Sequence, residues 1–284
     1  MEKRPLGNTG EELSIVGFGG IVVKDEDPAF ARSVVATAVE ERGINYFDVA
    51  PNYGNAQERL GPALEPYRDR CFLACKTAMR TAAEAEQQLQ ESLKLLRTDH
   101  LDLYQFHSVK TEEDVATLLG PGGALETSVR ARERGLIRYI GFSAHTEYAA
   151  HALMDAFSFD TILFPINWVA WNEGKFGPSV VETAQKKGLG ILALKTLAKR
   201  NWREDERPDD AKTWYRPVES FEEAQLGLRF TLSRPVTAAV SPGQADLLWW
   251  ACDAADRFTP LSADEEREIA DRARGLDAIF PNTR

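Results

Sequence analysis

Cysteine is scarce in this chain of 284 residues, which contains Cys71, Cys75 and Cys252. An odd number without framework spacing argues against a disulfide-stabilised secreted domain and favours a reducing compartment. Cys71 and Cys75 flank an apolar run and, four residues apart on a strand, would face the same way. No His or further Cys stands near enough to complete a metal site, so we expect both in the core and no metal bound.

Basic residues and long apolar runs are also lacking. The chain has 34 Lys and Arg against 44 Asp and Glu, a formal net charge of -10. Sequence-independent binding to nucleic acid or to an anionic membrane requires a basic surface, so neither partner is expected. The N-terminus has no apolar segment typical of a signal peptide, and no stretch approaches the ~20 apolar residues of a membrane span. We therefore expect a cytoplasmic protein.

Short apolar, β-rich runs alternate with longer segments of helical period, which is typical of βα units and a parallel sheet. The runs are Ile15–Gly19, Ile44–Val49, Cys71–Lys76, Leu101–Phe106, Ile137–Phe142, Thr161–Pro165, Gly190–Leu194 and Val236–Val240. Eight strands, each followed by a helix, predict an α/β fold of the (β/α)8 TIM-barrel type, occupying residues 1–284 as a single domain. A doubly wound open sheet is the alternative, but Gly17, Gly19 and Gly20 lack its usual G-x-G-x-x-G spacing.

Two segments lie outside this repeat. Residues 1–13 contain Gly7 and Gly10 with a leucine on each side, which predicts an N-terminal β-hairpin that closes the N-terminal end of the barrel. Lys199–Pro217 is polar and charged, and it predicts a long loop after strand seven. Loops of this length at the C-terminal end of a barrel tend to carry function.

Four chemically active side chains stand at or just after the ends of the second, third and fourth predicted strands: Asp48, Tyr53, Lys76 and His107. The C-terminal ends of barrel strands converge, so these groups are expected to meet. A nearby ammonium lowers the pKa of a phenol from its usual value near ~10, and a carboxylate keeps a buried ammonium charged. Taken one at a time, these residues also have structural interpretations: Asp48 as a turn cap, Tyr53 and His107 as packing residues, and Lys76 as the end of a strand. Their joint placement favours proton transfer, with His107 orienting a carbonyl or relaying the proton.

These motifs resemble those of the aldo-keto reductase superfamily. The segment 48–54 (D-V-A-P-N-Y-G) is similar to the family's D-x-A-x-x-Y-G, and Lys76 is similar to its strand-three lysine. Residues 102–107 (D-L-Y-Q-F-H) resemble its strand-four D-x-Y-Q-x-H, and residues 134–143 resemble its strand-five motif. The resemblance extends from about residue 4 to residue 243. It implies a TIM-type barrel that binds NADPH or NADH across its C-terminal end.

The activity implied by the resemblance is NAD(P)H-dependent reduction of small aldehydes or ketones, or oxidation of the corresponding alcohols or sugars. Tyr53 is then the general acid or base, Lys76 and Asp48 assist it, and His107 positions the carbonyl. The implied cofactor contacts are Gly20, Ile21, Asp48, Ser143, Asn167, Lys195, Leu197, Ser241, Gly243 and Gln244.

The chain departs from the family pattern in three places. Ala144 stands where the family has Asn, and Leu163 stands where it has Gln, so Asn167 is expected to supply a substitute amide to the nicotinamide. The turn 241–244 resembles the family's adenosine-phosphate turn, yet no Arg or Lys follows it for more than ten residues, and Asp246 would repel a phosphate. A 2′-phosphate favours a cation, ideally an arginine, which predicts a weak preference for NADH over NADPH.

The sequence defines the substrate only broadly. Val22 and Val23 predict an apolar side to the substrate pocket, and Trp168 and Trp202 are expected to wall it. A small carbonyl compound or a sugar-like aldehyde is the expected partner, and the oligomeric state is left open. A barrel that binds the cofactor as a sensor or regulatory subunit, with little turnover, is the alternative function. A third hypothesis is a barrel enzyme of unrelated chemistry, such as a phosphate-dependent lyase, but the sequence contains no motif that matches one.

Overall fold

The computed structural model describes residues 1–282, and its central feature is a closed barrel of eight parallel strands. In chain order the barrel strands are Val16–Gly19, Tyr46–Asp48, Phe72–Thr77, Leu101–Val109, Ile137–Ala144, Thr161–Pro165, Gly190–Leu194 and Ala238–Val240. Each overlaps one of the predicted runs, and they are numbered one to eight below. Strand eight pairs in parallel with strand one, with Ala239 opposite Val16, which closes the barrel. The predicted (β/α)8 architecture is confirmed.

Helices surround the barrel and bury the outward-facing apolar side chains of its strands. The α-helices are Pro28–Ala36, Ala56–Leu64, Ala82–Leu95, Glu112–Leu119, Ala124–Glu133, Glu147–Ala156, Trp168–Asn172, Pro178–Lys187, Phe221–Leu232, Ala245–Ala255 and Ala263–Ala273. Two 3-10 segments, Gly20–Val23 and Glu65–Arg70, and a π-helical turn at Thr37–Glu41 complete the helical structure. Gly188, at φ 74°, ends the helix before strand seven in a left-handed conformation that glycine adopts without strain.

The N-terminal hairpin is present as predicted. Lys3–Pro5 pairs antiparallel with Glu12–Ser14, and Leu6 between them is fully buried in the inner core of the barrel. That core also contains Leu13, Tyr46, Phe72, Leu103, Leu163 and Leu192. Gly7 has a φ of 52°, and a Cβ there would lie 2.3 Å from the nitrogen of Gly190. The hairpin therefore packs closely against the start of strand seven and covers this end of the barrel.

The long loop after strand seven is held at its base by two short antiparallel strands. These are Ala198–Asn201 and Tyr215–Pro217. We call the intervening residues 202–214 the strap. Within the strap, Lys212 donates a hydrogen bond to the carbonyl of Val22 at 3.0 Å and forms an ion pair with Glu26 at 2.6 Å. The strap therefore reaches from strand seven to the segment after strand one, a connection that the sequence pattern did not predict.

Other sequence expectations concern membranes, metals and cysteines. No helix among the described residues is long and apolar enough to cross a membrane. Within residues 1–282, no group of three or more His, Cys, Asp or Glu side chains is arranged to hold a metal ion. The cysteines are unpaired and buried, and the core placement predicted for Cys71 and Cys75 is confirmed.

Candidate active site

A cavity of about 700 Å³ opens at the C-terminal ends of the barrel strands. Every barrel strand, or the turn that follows it, contributes at least one residue to its wall, together with part of the strap and Phe280 near the C-terminus. The side chains predicted to transfer a proton all line this cavity: Asp48, Tyr53, Lys76 and His107. Convergence of the strand ends therefore brings these groups together, although Asp48 and His107 are far apart in sequence.

Lys76 forms an ion pair with Asp48 at the end of strand two. The two side chains are 1% and 3% exposed. Gln105 donates a hydrogen bond to the second carboxylate oxygen of Asp48 at 3.0 Å, and the hydroxyl of Tyr46 donates to the same oxygen at 3.3 Å. Burial alone would lower the pKa of Lys76, but Asp48 and Tyr53 hold that pKa above its usual value. The ammonium is therefore charged at neutral pH and fixed in position.

The hydroxyl of Tyr53 lies 3.5 Å from the Nζ atom of Lys76. Burial raises the pKa of Tyr53, and the charge of Lys76 only partly offsets that increase. The sequence argument expected the ammonium to lower the phenol pKa below its usual value; in this cavity the cost of desolvating the phenolate is larger. Tyr53 therefore keeps its proton at neutral pH, a state suited to a proton donor.

His107 lies beside Tyr53, with ring centres 5.7 Å apart and ring planes at 82°. Burial, reinforced by the charge of Lys76 and other neighbouring groups, lowers the pKa of His107 to about 2. Its Nδ1 atom is buried without a hydrogen-bond partner in the described part of the chain, which leaves Nε2 as the ring nitrogen available to a ligand. His107 is thus a neutral imidazole that can form one hydrogen bond to a ligand in the cavity.

Lys195 lies directly after strand seven with a positive φ of 67°. Its Nζ atom is 4.9 Å from the ring centre of Tyr215 and 5.5 Å from that of Trp214. Burial, followed by the charge of Lys76, lowers the pKa of Lys195 to about 8, and no carboxylate opposes these effects. A cation with aromatic neighbours and no carboxylate partner is well suited to contact an anionic ligand.

The turn after strand eight borders the cavity next to the strap. The hydroxyl of Ser241 accepts a hydrogen bond from the backbone N–H of Gly19 at 3.0 Å. A Cβ at Gly243 would lie 2.5 Å from Ile21 Cγ2 and 2.9 Å from Lys212 Cβ, so a larger residue would displace the strap or Ile21. The structure therefore brings a lysine to this turn from another part of the chain. The prediction of NADH, which rested on the lack of a cation after Ser241, did not include Lys212.

The structure separates the expected cofactor contacts into two groups. Those that line the cavity are Ile21, Asp48, Ser143, Lys195, Ser241 and Gly243. Gly20, Leu197 and Gln244 do not line it. Gly20 begins the 3-10 segment and packs on Val49. Leu197 is 2% exposed within the core. Gln244 directly precedes the helix after strand eight. Asn167, the fourth outside the cavity, has a distinct role.

Asn167 stabilises the backbone after strand six. Its Oδ1 atom accepts hydrogen bonds from the backbone N–H groups of Val169 at 2.9 Å and Ala170 at 3.0 Å, which caps the short helix that follows. Its Nδ2 atom donates to the carbonyls of Lys195, at 3.1 Å, and Ala198. The amide has therefore filled all of its hydrogen-bonding positions and does not face the cavity as a substitute for the missing family amides.

The residues expected to line the substrate pocket also lie elsewhere. Val22 and Val23 are fully buried, because the 3-10 turn after strand one directs them into the core. Trp168, the first residue of the helix that Asn167 caps, is 4% exposed in a separate apolar cluster. Trp202 stands in the strap and donates its indole N–H to the carbonyl of Thr213 at 3.2 Å.

Much of the cavity wall was missed by the sequence analysis. The missed residues include Asn52, Ser108, Lys110, His145, Leu194, Lys212, Thr213, Trp214, Tyr215, Val240, Pro242 and Phe280. Ser108, Lys110 and His145 follow strand ends already identified, and extending those ends by two to four residues would have found them. The length of the loop 199–217 predicted a functional role, but no local signal singled out its cavity-lining residues or Phe280, since their place depends on contacts with distant parts of the chain.

The model of the Aldo/keto reductase family matches residues 16–263. The chain belongs to the aldo/keto reductase family. An uncharacterized oxidoreductase of Bacillus subtilis is 31% identical over 158 residues, which are 51% of this chain and 49% of that protein. An aldo-keto reductase of Mycobacterium avium is 31% identical over 147 residues, 49% of this chain and 47% of that protein. The chain thus spans about half the length of these curated relatives.

Solved structures support the fold of this aldo/keto reductase. An aldo-keto reductase from Bacillus halodurans, in a holo form, has a TM-score of 0.77 and 23% identity, with 100% of both chains covered. The resemblance drawn from the motifs of strands two to five is therefore confirmed at the level of the family and of the barrel.

Proposed function

We propose that this aldo/keto reductase is an NAD(P)H-dependent oxidoreductase that reduces a small aldehyde or ketone, with Tyr53 as the proton donor. The observation that carries the proposal is the meeting of Tyr53, Lys76, Asp48 and His107 on the wall of one cavity. Oxidation of the corresponding alcohol uses the same groups, with the proton returning to Tyr53.

The chemistry of the cavity wall fits a nicotinamide dinucleotide. Lys195, which has no carboxylate partner, and Lys212 provide positive charge for phosphates on the side of strands seven and eight. Ile21 and Leu194 offer apolar surface, and the hydroxyls of Ser143 and Ser241 offer hydrogen bonds. When bound, the cofactor supplies or accepts the hydride.

The proton is delivered by groups of this chain. Tyr53 holds its proton until a carbonyl oxygen accepts it, and the phenolate that remains is 3.5 Å from the ammonium of Lys76. Asp48, fixed by Gln105 and Tyr46, keeps that ammonium charged. The neutral imidazole of His107 donates a hydrogen bond to the same carbonyl oxygen and so orients it.

The variant Tyr53→Phe tests the proposal, because it removes the hydroxyl and keeps the ring. We expect turnover on a panel of carbonyl compounds to fall by at least about 10²-fold, while the Kd values for NADPH and NADH, measured by titration calorimetry, stay within about twofold. Unchanged turnover would remove Tyr53 from the mechanism. Failure of the unmodified protein to bind either cofactor at submillimolar concentration would overturn the oxidoreductase proposal.

One observation favours a second function, a cofactor-binding sensor with little turnover. Ala144 and Leu163 stand at the two amide positions, and Asn167 is fully engaged elsewhere. Under this proposal the unmodified protein binds NADPH or NADH but reduces no member of the carbonyl panel. The variant Tyr53→Phe then matches the unmodified protein in both cofactor binding and lack of turnover.

A further inference from the structure

The cavity has a strongly positive wall for a protein whose formal net charge is -10. Its lining contains the lysines Lys76, Lys110, Lys195 and Lys212. Asp48 supplies the single carboxylate among the lining residues. Lys76 and Lys212 each have a carboxylate partner. Lys110 and Lys195 have no ion pair within residues 1–282, so each is free to meet an anionic ligand.

These two unpaired lysines follow different strands: Lys110 follows strand four and Lys195 follows strand seven, with strands five and six between them. Strand four and strand eight are separated by three strands in either direction around the closed sheet. Lys195, Ser241 and Gly243, the proposed cofactor contacts, follow strands seven and eight. Lys110 follows strand four, three residues after His107. A cofactor held by strands seven and eight therefore leaves Lys110 unpaired on the side of the reacting carbonyl.

The loop that carries Lys110 is tied to the loop after strand five. Ser108 has a positive φ of 55°, and its backbone N–H donates to the hydroxyl of Ser143 at 2.7 Å. The Ser108 hydroxyl is 3.0 Å from the Nδ1 atom of His145. The hydroxyl of Thr146 donates to the carbonyl of Lys110 at 2.8 Å. The backbone at Lys110 and the ring of His145 are therefore held in position before any ligand binds.

His145 adds a hydrogen-bond donor next to this charge. Burial, followed by the charges of Lys195, Lys110 and Lys76, lowers the pKa of His145 to about 3, so the ring is neutral. With the Ser108 hydroxyl donating to Nδ1, the proton of the neutral ring lies on Nε2. The ring of Phe280, 5.3 Å away between centres, covers one side of the imidazole.

We propose that Lys110 and His145, held in place by Ser108, form a carboxylate-binding subsite, and that the substrate is a small carbonyl compound that bears a carboxylate. A flexible ammonium and a fixed N–H provide one donor for each carboxylate oxygen. An uncharged aldehyde of the same size leaves the ammonium without a partner. The inference rests on the proposed function, since it places the carboxylate relative to a carbonyl at Tyr53 and His107.

A matched pair of substrates tests the subsite: 4-oxobutanoate and its methyl ester, at fixed ionic strength. Lys110 borders the cavity and is exposed, so solvent partly screens its attraction for a carboxylate, and the N–H of His145 adds a charge-assisted hydrogen bond. We expect kcat/KM for the acid to exceed that for the ester by about tenfold, mainly through a lower KM. In Lys110→Gln we expect the ratio to fall toward one, because kcat/KM for the acid decreases by more than kcat/KM for the ester. Lys94→Gln, which changes an exposed lysine of an outer helix, keeps the tenfold ratio.

A binding measurement separates failure of the inference from failure of the proposed function. Titration calorimetry with butanoate and butanamide requires no turnover. We expect butanoate to bind more tightly and to lose affinity in Lys110→Gln and His145→Leu, whereas His145→Gln, which keeps an N–H donor, retains part of it. Equal kcat/KM for acid and ester, or butanoate binding no tighter than butanamide, overturns the subsite and leaves the reductase proposal standing. Absent turnover of both substrates and of every member of the carbonyl panel overturns the reductase proposal, and the butanoate titration then decides the subsite alone.

Discussion

Lys212 in the strap and Glu26 after strand one form an ion pair at 2.6 Å, with side chains 21% and 34% exposed. Lys212 also donates to the carbonyl of Val22 at 3.0 Å. Two contacts from one ammonium therefore connect the strap, across strand eight, to the segment after strand one. A ligand held behind this connection leaves only when the connection breaks or the strap bends.

The strap connection predicts a change in the dissociation rate of the cofactor. Glu26→Gln removes the charge that holds Lys212, and we expect NADPH to dissociate about two- to fivefold faster, the range for a partly exposed ion pair. Stopped-flow displacement measures the rate. Glu182→Gln breaks an exposed ion pair on an outer helix and should leave the rate unchanged. Equal rates in all three proteins would show that the connection does not control release.

Asn167→Ala should reduce stability and leave cofactor binding intact. The substitution removes a helix cap and leaves the buried carbonyl of Ala198 without a donor, and we expect a loss of about 2–4 kcal/mol in the free energy of unfolding. Urea denaturation measures this loss. Asn52→Ala, which changes an exposed residue, should alter stability by less than about 0.5 kcal/mol. A large rise in the cofactor Kd of Asn167→Ala would restore the role that the sequence predicted.

Removing one charge of the buried pair of Lys76 and Asp48 should destabilise the protein more than removing both charges. Asp48→Asn leaves the ammonium of Lys76 buried without a countercharge, and we expect a loss of about 3–5 kcal/mol in the free energy of unfolding. Adding Lys76→Met removes the uncompensated charge and should recover part of that loss. Urea denaturation of the single and double variants gives the comparison. A double variant less stable than Asp48→Asn would show that Lys76 stabilises the site without its partner.

His107 and His145 are neutral in the folded protein, and we therefore expect its stability to fall in acid. The folded-state pKa values of His107 and His145 are about 2 and about 3, against about 6.5 in an unfolded chain. Below pH 6.5 the unfolded state takes up protons that the folded state does not, so stability falls as the pH decreases toward 3. At pH 5 each histidine contributes a loss of at most about 2 kcal/mol.

Comparison of variants isolates this effect from the titration of carboxylates. Urea denaturation between pH 7 and pH 4.5 should give a shallower loss of stability for His145→Gln than for the unmodified protein. His151→Gln, on an outer helix, should follow the unmodified curve. Parallel curves for all three proteins would mean that His145 gains a proton in the folded state.

The barrel and its central chemical groups were predictable because their signals are local. Each barrel strand is an apolar run bounded by polar or turn residues, and the ends of those runs placed Asp48, Lys76 and His107 at one end of the fold. Strand four was predicted to end at Phe106 but extends to Val109. The polar residues His107 and Ser108 interrupt the apolar pattern, and the strand pairs with strand five again at Val109 after a shift of register.

The rest of the site depends on contacts that span the chain. Lys212 and Glu26 are 186 residues apart, and neither segment has a pattern that indicates the other. Trp168 was expected to wall the substrate pocket, but the helix capped by Asn167 directs it into a separate cluster. Side-chain direction after a strand end depends on the local turn, which composition alone does not define.

Trp214 gives this protein an internal optical reporter. It is 44% exposed, and of the six tryptophans in the chain it is the one that lines the cavity. The emission maximum of an indole depends on the polarity around the ring. A ligand in the cavity should therefore shift the emission maximum and change the quantum yield of Trp214. A reduced nicotinamide absorbs where indole emits, so its arrival should quench Trp214 by energy transfer. The difference spectrum between the unmodified protein and Trp214→Phe then reports a bound ligand without any label.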